Sequence, residues 1–175
     1  LLAASWASAC DDATTVGQCT PRAANTELGE ASAWTTAAEA GLDPFPGHRP
    51  EAIQCSPSAA YVEDAAFEVD MGLCNYMLAA QVLTEPLRAC EELTATVAHF
   101  RLLADEPAEA HVALALGHEV IWERSIPIPT FDAGVYTLAF SPDEDIPAGT
   151  PLVLHLHNHG ANTWYLTNIR VGPAP

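Results

Sequence analysis

The sequence predicts an all-β domain: an antiparallel jelly-roll β-sandwich of about eight strands, preceded by an irregular N-terminal tether. Three observations predict it. Apolar residues recur with period two from residue 60 onward. Clusters of Gly, Pro and Asp cut the chain into short segments. No long segment past residue 60 keeps the 3.6-residue period of an amphipathic helix.

The strands are read in order. In 61–71, Phe67, Val69 and Met71 share one face, with Glu68 and Asp70 opposite. Segment 73–83 follows and ends at the turn Thr84-Glu85-Pro86-Leu87. Segment 93–102 is rich in β-branched residues. Val112, Leu114 and Leu116 alternate with His111, Ala113 and Ala115, and Gly117-His118 then turns the chain into 120–122. Ile126-Pro127-Ile128-Pro129 bars a helix and suits an edge strand or a strand end. Segments 135–140, 152–157 and 163–171 complete the series.

The domain division is 1–10, 11–52 and 53–175. Residues 11–52 are rich in Ala, Thr, Gly, Glu and Pro and read as a tether. Within them 31–40 predicts a short helix closed by Gly41. Residues 43–50 form a dense breaker cluster, and Trp34 and Phe45 are available to pin parts of the tether to the domain.

Charge excludes several functions. The 175 residues carry 23 acidic against 6 basic side chains, a net charge of −17, and every basic residue is arginine. A nucleic-acid binder needs a basic stripe to displace counterions, so nucleic acid is not a partner. An anionic membrane surface is disfavoured for the same reason. With 49% apolar residues the chain can build a core, and no run approaches the ~18 apolar residues of a membrane helix.

Residues 1–10 are small and apolar and end Ala7-Ser8-Ala9-Cys10. They read as the end of an export signal. The cysteine after that site resembles a bacterial lipoprotein lipobox, with Ala7 where that family usually has Leu. The resemblance implies lipidation of Cys10, a membrane contact only through that anchor, and a periplasmic, cell-surface or extracellular location. The other four cysteines, Cys19, Cys55, Cys74 and Cys90, form no C-x-x-C pair. In an oxidising compartment they make two disulfides in one of three connectivities, of which Cys74–Cys90 with Cys19–Cys55 is expected; the alternative is free cysteines buried as small apolar side chains.

Pro147-Ala148-Gly149-Thr150-Pro151-Leu152-Val153-Leu154, Asn162-Thr163-Trp164 and Ile169-Arg170-Val171 mark a turn into a central strand and a closing N-x-W strand. In these segments 110–171 resembles carbohydrate-binding modules and galactose-binding-like domains. The resemblance implies an accessory binding domain, often holding a structural calcium ion. Trp164 and Tyr165 are then candidate sugar-stacking residues, since sugar rings present apolar C–H faces.

The sharpest chemical signal is Leu154-His155-Leu156-His157-Asn158-His159. On a strand Leu152, Leu154 and Leu156 point one way and His155, His157 and His159 the other. Such an H-x-H pair resembles the metal strands of carbonic anhydrases and cupins. A third ligand from another strand, His99, His111 or His118, would complete a zinc or copper site. The alternative is that the imidazoles are ordinary polar residues of an outer strand face, since no Asp or Glu flanks them as support. If the triplet is crowded, its members titrate below the ordinary ~6.5. Asp143, Glu144 and Asp145 offer oxygen ligands for calcium without the usual loop spacing. Glu91, Glu92, Glu63 and Asp64 read as exposed charge. No nucleophile elbow, phosphate loop or H-E-x-x-H occurs.

The sequence therefore predicts an exported, non-enzymatic binding or interaction module with a carbohydrate or surface-protein partner. The rival readings are a zinc- or copper-binding protein built on His155, His157 and His159, and a structural subunit of a cell-surface assembly.

Overall fold

The computed structural model describes residues 19–36 and 40–175. Two antiparallel sheets face each other across one core. The larger contains β1 (Thr26–Gly29), β3 (Ala60–Glu63), β4 (Ala66–Asp70), β6 (Glu91–His99), β9 (Gly134–Phe140), β11 (Thr163–Thr167) and β12 (Ile169–Pro173). Its strand order is β1-β12-β6-β11-β4-β3, with β9 pairing β6. The smaller contains β2 (Thr35–Thr36), β5 (Tyr76–Val82), β7 (Ala108–Leu116), β8 (Glu119–Ile128) and β10 (Pro151–Asn158), in the order β2-β5-β10-β7-β8. The all-β sandwich is as the sequence predicts, with more strands because the N-terminal segment and two hairpins add to the count.

Alternation builds the core. Leu152, Leu154 and Leu156 of β10 meet Val112, Leu114 and Leu116 of β7, and Leu93 and Val97 of β6 close from the opposite sheet. Each Leu here is at most 5% exposed. Full burial of such a side chain contributes about 1.5–3 kcal/mol. Pro127 of β8 sits on the edge of the smaller sheet, where a missing N–H costs no ladder bond.

The expected strand over 61–71 is a hairpin. Asp64 and Ala65 both take positive φ, 46° and 61°, and reverse the chain so that Tyr61 lies opposite Glu68. These residue types gave no glycine signal for that turn. Segment 163–171 likewise divides at Asn168 into β11 and β12.

The tether also needs correction. Cys19 onward is built into the sandwich wherever the structure describes it. β1 pairs β12 and β2 pairs β5, so the segment joins both sheets. Trp34 is buried and stacks on Phe67 at 5.8 Å. Where the expected helix over 31–40 is described, it is a 3-10 turn, Ala31–Ala33, followed by β2; residues 37–39 lie outside the described residues. Tertiary pairing with β5 outweighs the weak helix preference of a short Ala-rich run. Leu1 to Cys10, and with them the leader and the lipidation site, lie outside the described residues.

The disulfides are Cys19–Cys90 and Cys55–Cys74 rather than the expected pairs. Cys74 lies just before β5, which runs seven residues, roughly 23 Å at 3.3 Å each, away from it, and the chain then crosses to the other sheet, where Cys90 directly precedes β6. A disulfide needs Cα atoms within about 7 Å. Cys55 and Cys74 instead face each other across a β-bridge with Cα atoms 4.0 Å apart.

Candidate functional site

The outer faces of the two sheets carry different chemistry. On the smaller sheet, residues 40–50 cross the face as a strap. Leu42 packs on an apolar cluster of Tyr76, Leu78, Ala115 and Val153, the outward residues of β5, β7 and β10. This attachment turns the strap inward at its next residue, Asp43, which is 7% exposed. Oδ1 of Asp43 accepts the Phe45 N–H at 2.9 Å, an Asx turn. The same oxygen lies 2.9 Å from His155 Nδ1, and Oδ2 accepts the Tyr76 hydroxyl. A carboxylate can only accept, so the proton of His155 sits on Nδ1. Its Nε2 is buried without a hydrogen-bond partner among the described residues.

The 3-10 turn Pro46–His48 then lays His48 beside His111 of β7, with their Nδ1 atoms 3.2 Å apart. His111 Nε2 lies 3.5 Å from Glu123 Oε2 on the neighbouring β8. Phe45 covers the group, 4.5 Å from the His111 ring and 5.3 Å from that of His155. One ring nitrogen from each of His48, His111 and His155 lies within 4.8 Å of the other two.

Burial sets the protonation states here. It pushes His155 down to about 4, against an upward pull from Asp43. Burial also lowers His111 and His157, with neighbouring imidazoles adding to the fall. Asp43 is pushed up by burial, but the hydrogen bonds from Tyr76 and the Phe45 N–H, with His155, outweigh it and hold the carboxyl below its ordinary range. Burial, with Asp43 alongside, raises the Tyr76 phenol.

The structure thus regroups the histidine triplet. His155 is fully buried rather than an outer polar residue. His157 lies beside the cluster, its ring 5.8 Å from that of His48. His159 lies past the end of β10, exposed, with its ring 4.3 Å from that of His157. Of the three candidate partners, His111 joins His155. His99 lies in the core against Trp164 and Tyr136, and His118 is exposed in the β7–β8 turn. Sequence reading missed His48 and Asp43, because both lie in the breaker cluster assigned to a tether. Their only sequence signal was a His and an Asp flanking the Phe45 flagged as an anchor.

The larger sheet carries an open aromatic face. Tyr61, Glu68 and Tyr165 lie directly opposite one another on β3, β4 and β11. Tyr61 is 40% exposed and Phe100 51%, and the Phe100 ring meets Tyr165 edge-on at 5.0 Å. Glu68, between the tyrosines, is only 5% exposed. Its burial raises the carboxyl above its ordinary range, against the pull of the Tyr61 hydroxyl, and Glu63 and Asp64 add to the rise. Tyr165 lies on this face, but Trp164 does not. It points inward, 3% exposed, because the strand alternation that presents one aromatic buries the other.

A cleft of about 300 Å³ lies beside the strap, lined in part by Thr36, Arg49, Ile53 and Tyr76. The Arg49 guanidinium sits 5.5 Å over the Tyr76 ring. The acidic loop forms no convergent site: Asp143 and Glu144 point to solvent, and Asp145 accepts the Ala89 N–H. Glu91, read as exposed, is fully buried. Its Oε1 accepts the Arg22 backbone N–H and Nε–H, both at 2.8 Å.

No family model and no curated protein matches the sequence. Solved structures do match in shape. A mannan-recognising carbohydrate-binding module superposes with TM-score 0.53 at 9% identity, covering 87% of this chain and 98% of its own. The xylan-binding module CBM15 gives 0.51 at 11%, covering 86% and 97%. A module specific for non-crystalline cellulose, CBM28, gives 0.50 at 9%, covering 88% and 98%. The fold is the β-sandwich of carbohydrate-binding modules. At these identities the likeness is one of fold, and side chains must supply the functional reading.

Proposed function

We propose that this chain is an exported, non-catalytic module that binds neutral carbohydrate on the Tyr61–Glu68–Tyr165 face. The observation that carries the reading is the row of two tyrosines flanking a nearly buried carboxylate, with Phe100 beside it. The two tyrosines stand about 9.5 Å apart, twice the strand spacing. The exposed rings of Tyr61 and Phe100 and the half-buried ring of Tyr165 offer apolar faces to sugar C–H groups, and Glu68 offers acceptors to hydroxyls. Glu63, Asp64 and Asp70 surround the row, so acidic polysaccharides are repelled. The cleft beside the strap fits sugar less well, since its aromatic residue, Tyr76, is buried and covered by Arg49.

The fold's company supports a carbohydrate ligand: matched structures include modules for mannan, xylan and cellulose. Two disulfides support export, since such bonds persist in oxidising compartments. Affinity electrophoresis in gels containing neutral polysaccharides tests the proposal. Retardation is expected with at least one neutral polymer and not with a polyuronate. Tyr165→Ala is expected to weaken binding about tenfold, ~1.4 kcal/mol, without lowering Tm. Retardation unchanged in both Tyr165→Ala and Tyr61→Ala would remove the site from this face.

A further inference from the structure

We infer that His48, His111 and His155 bind a divalent first-row transition metal of the zinc or copper class. The inference does not rest on the carbohydrate reading, because the site lies on the other sheet.

Geometry comes first. Tetrahedral zinc with Zn–N bonds of about 2.0–2.1 Å holds adjacent nitrogens about 3.3–3.4 Å apart. His48 Nδ1 and His111 Nδ1 are already 3.2 Å apart, the length of such an edge. One ring nitrogen from each of the three histidines lies within 4.8 Å of the other two. His48 sits on an exposed 3-10 turn, so a small rotation of its ring closes that difference.

Protonation comes second. Both buried imidazoles lean on a carboxylate with the nitrogen that would not bind metal. His155 Nδ1 donates to Asp43, and His111 Nε2 faces Glu123. Such support fixes the tautomer of a ligating histidine and aims its lone pair at the ion. His155 Nε2 is the independent sign. It is a polar atom on a side chain with no exposure, and no atom of the described residues satisfies it. An unpaired buried acceptor is costly, and metal coordination is one way to occupy its lone pair.

Donor chemistry comes third. Three imidazole nitrogens suit zinc and copper. Calcium and magnesium require oxygen ligands and do not fit this set. Three protein ligands leave a fourth position on the exposed His48 side. Because His48 belongs to the strap and the others to β7 and β10, the ion would also fasten strap to sheet.

The test uses the full chain, purified without a histidine tag. Cys10 is alkylated under non-reducing conditions so that its sulfur does not compete, and metal is stripped with chelator. Calorimetric titration with Zn²⁺ is expected to show one ion per chain and a raised Tm. Co²⁺ is expected to give the visible absorption of a tetrahedral site. His48→Ala, on the exposed turn, leaves the core intact by circular dichroism and is expected to weaken zinc at least ~10-fold and abolish the Tm rise. Asp43→Asn is expected to weaken zinc ~10–100-fold. His159→Ala is expected to change nothing. No stoichiometric zinc or copper uptake by the unaltered chain overturns the inference. So does uptake that survives His48→Ala, whether or not it is lost in His159→Ala.

Discussion

Glu91 and Asp43 are both carboxylates taken out of water, and they are satisfied in opposite ways. Glu91 receives Arg22 on both oxygens and a further N–H from Arg88 at 3.1 Å. These contacts hold its carboxyl down at about 2, the Arg22 bond most of all, against burial. Two of the donors belong to a cation, whose other bonds go to further protein acceptors, Glu85 and the Pro86 carbonyl. Asp43 receives a tyrosine hydroxyl, a backbone N–H and a histidine N–H. Its histidine carries a second nitrogen facing away from the carboxylate. The Glu91 cluster therefore ends in itself. It clamps the N-terminal segment to β6, next to the Cys19–Cys90 disulfide. The Asp43 cluster passes its orientation on to a nitrogen that can bind something else. A buried charge met by an opposite charge closes a structure, whereas one met by neutral donors can organise a site.

The largest expected effect comes from breaking the closed cluster. Glu91→Ala leaves Arg22 mostly buried with only the exposed Glu85 as counter-charge and is expected to cost about 3–5 kcal/mol in urea denaturation. A loss below about 1 kcal/mol would erase the distinction drawn here.

Acid should separate the two clusters in the metal-free protein. His155 lies at about 4 folded and near ~6.5 unfolded, so between those values the unfolded chain binds more protons. Its contribution is complete above ~6.5 and is lost as pH falls toward 4, about 3 kcal/mol in all. Glu91, at about 2 folded, contributes fully above the ordinary carboxylate range. That contribution, again about 3 kcal/mol, is lost as pH falls toward 2. Asp43, also depressed, adds to the lower window. Stability measured against pH is expected to fall in two steps, and Glu91→Gln should flatten the lower one. A flat profile from pH 6.5 to 4.5 would refute the burial of a neutral His155.

Asp43→Ala is the next smaller perturbation, about 2–3 kcal/mol in the metal-free protein. It removes hydrogen bonds to a charged acceptor but strands no cation. A cost above that of Glu91→Ala would reverse the comparison. Glu85→Ala should be smallest. Glu85 meets the same Arg22 at 3.2 Å, but its side chain is 67% exposed. Exposed pairs contribute about 0–1 kcal/mol, so Tm is expected to move by a few degrees at most.

The amino-acid pattern alone carried the sandwich, because alternation is local: Leu152, Leu154 and Leu156 can face one core only if His155 and His157 face away. For His155 and His157 it carried the direction of the titration shift too, though burial rather than crowding is the main cause there. It also placed Trp34 and Phe45 as anchors. It did not carry the hairpin at Asp64-Ala65, where neither residue type announces positive φ. Nor did it separate Trp164 from Tyr165, because knowing that neighbours alternate does not say which of them faces out.

The sequence by itself determined the acidic, lysine-free composition, the β architecture and the presence of histidines on one strand face. Only the tertiary structure decided what meets them. Asp43 reaches His155 across 112 residues, and the strap that carries it arrives because Leu42 packs on the outer face of β5, β7 and β10. That contact is non-local and apolar, with no spacing or motif to announce it. The disulfides follow the same logic. Cys74 and Cys90 are close along the chain yet precede strands of different sheets, β5 and β6, while Cys19 and Cys90, 71 residues apart, meet where the strand order brings the N-terminal segment to β6. Local pattern fixes which way a side chain points, and strand order fixes what it points at.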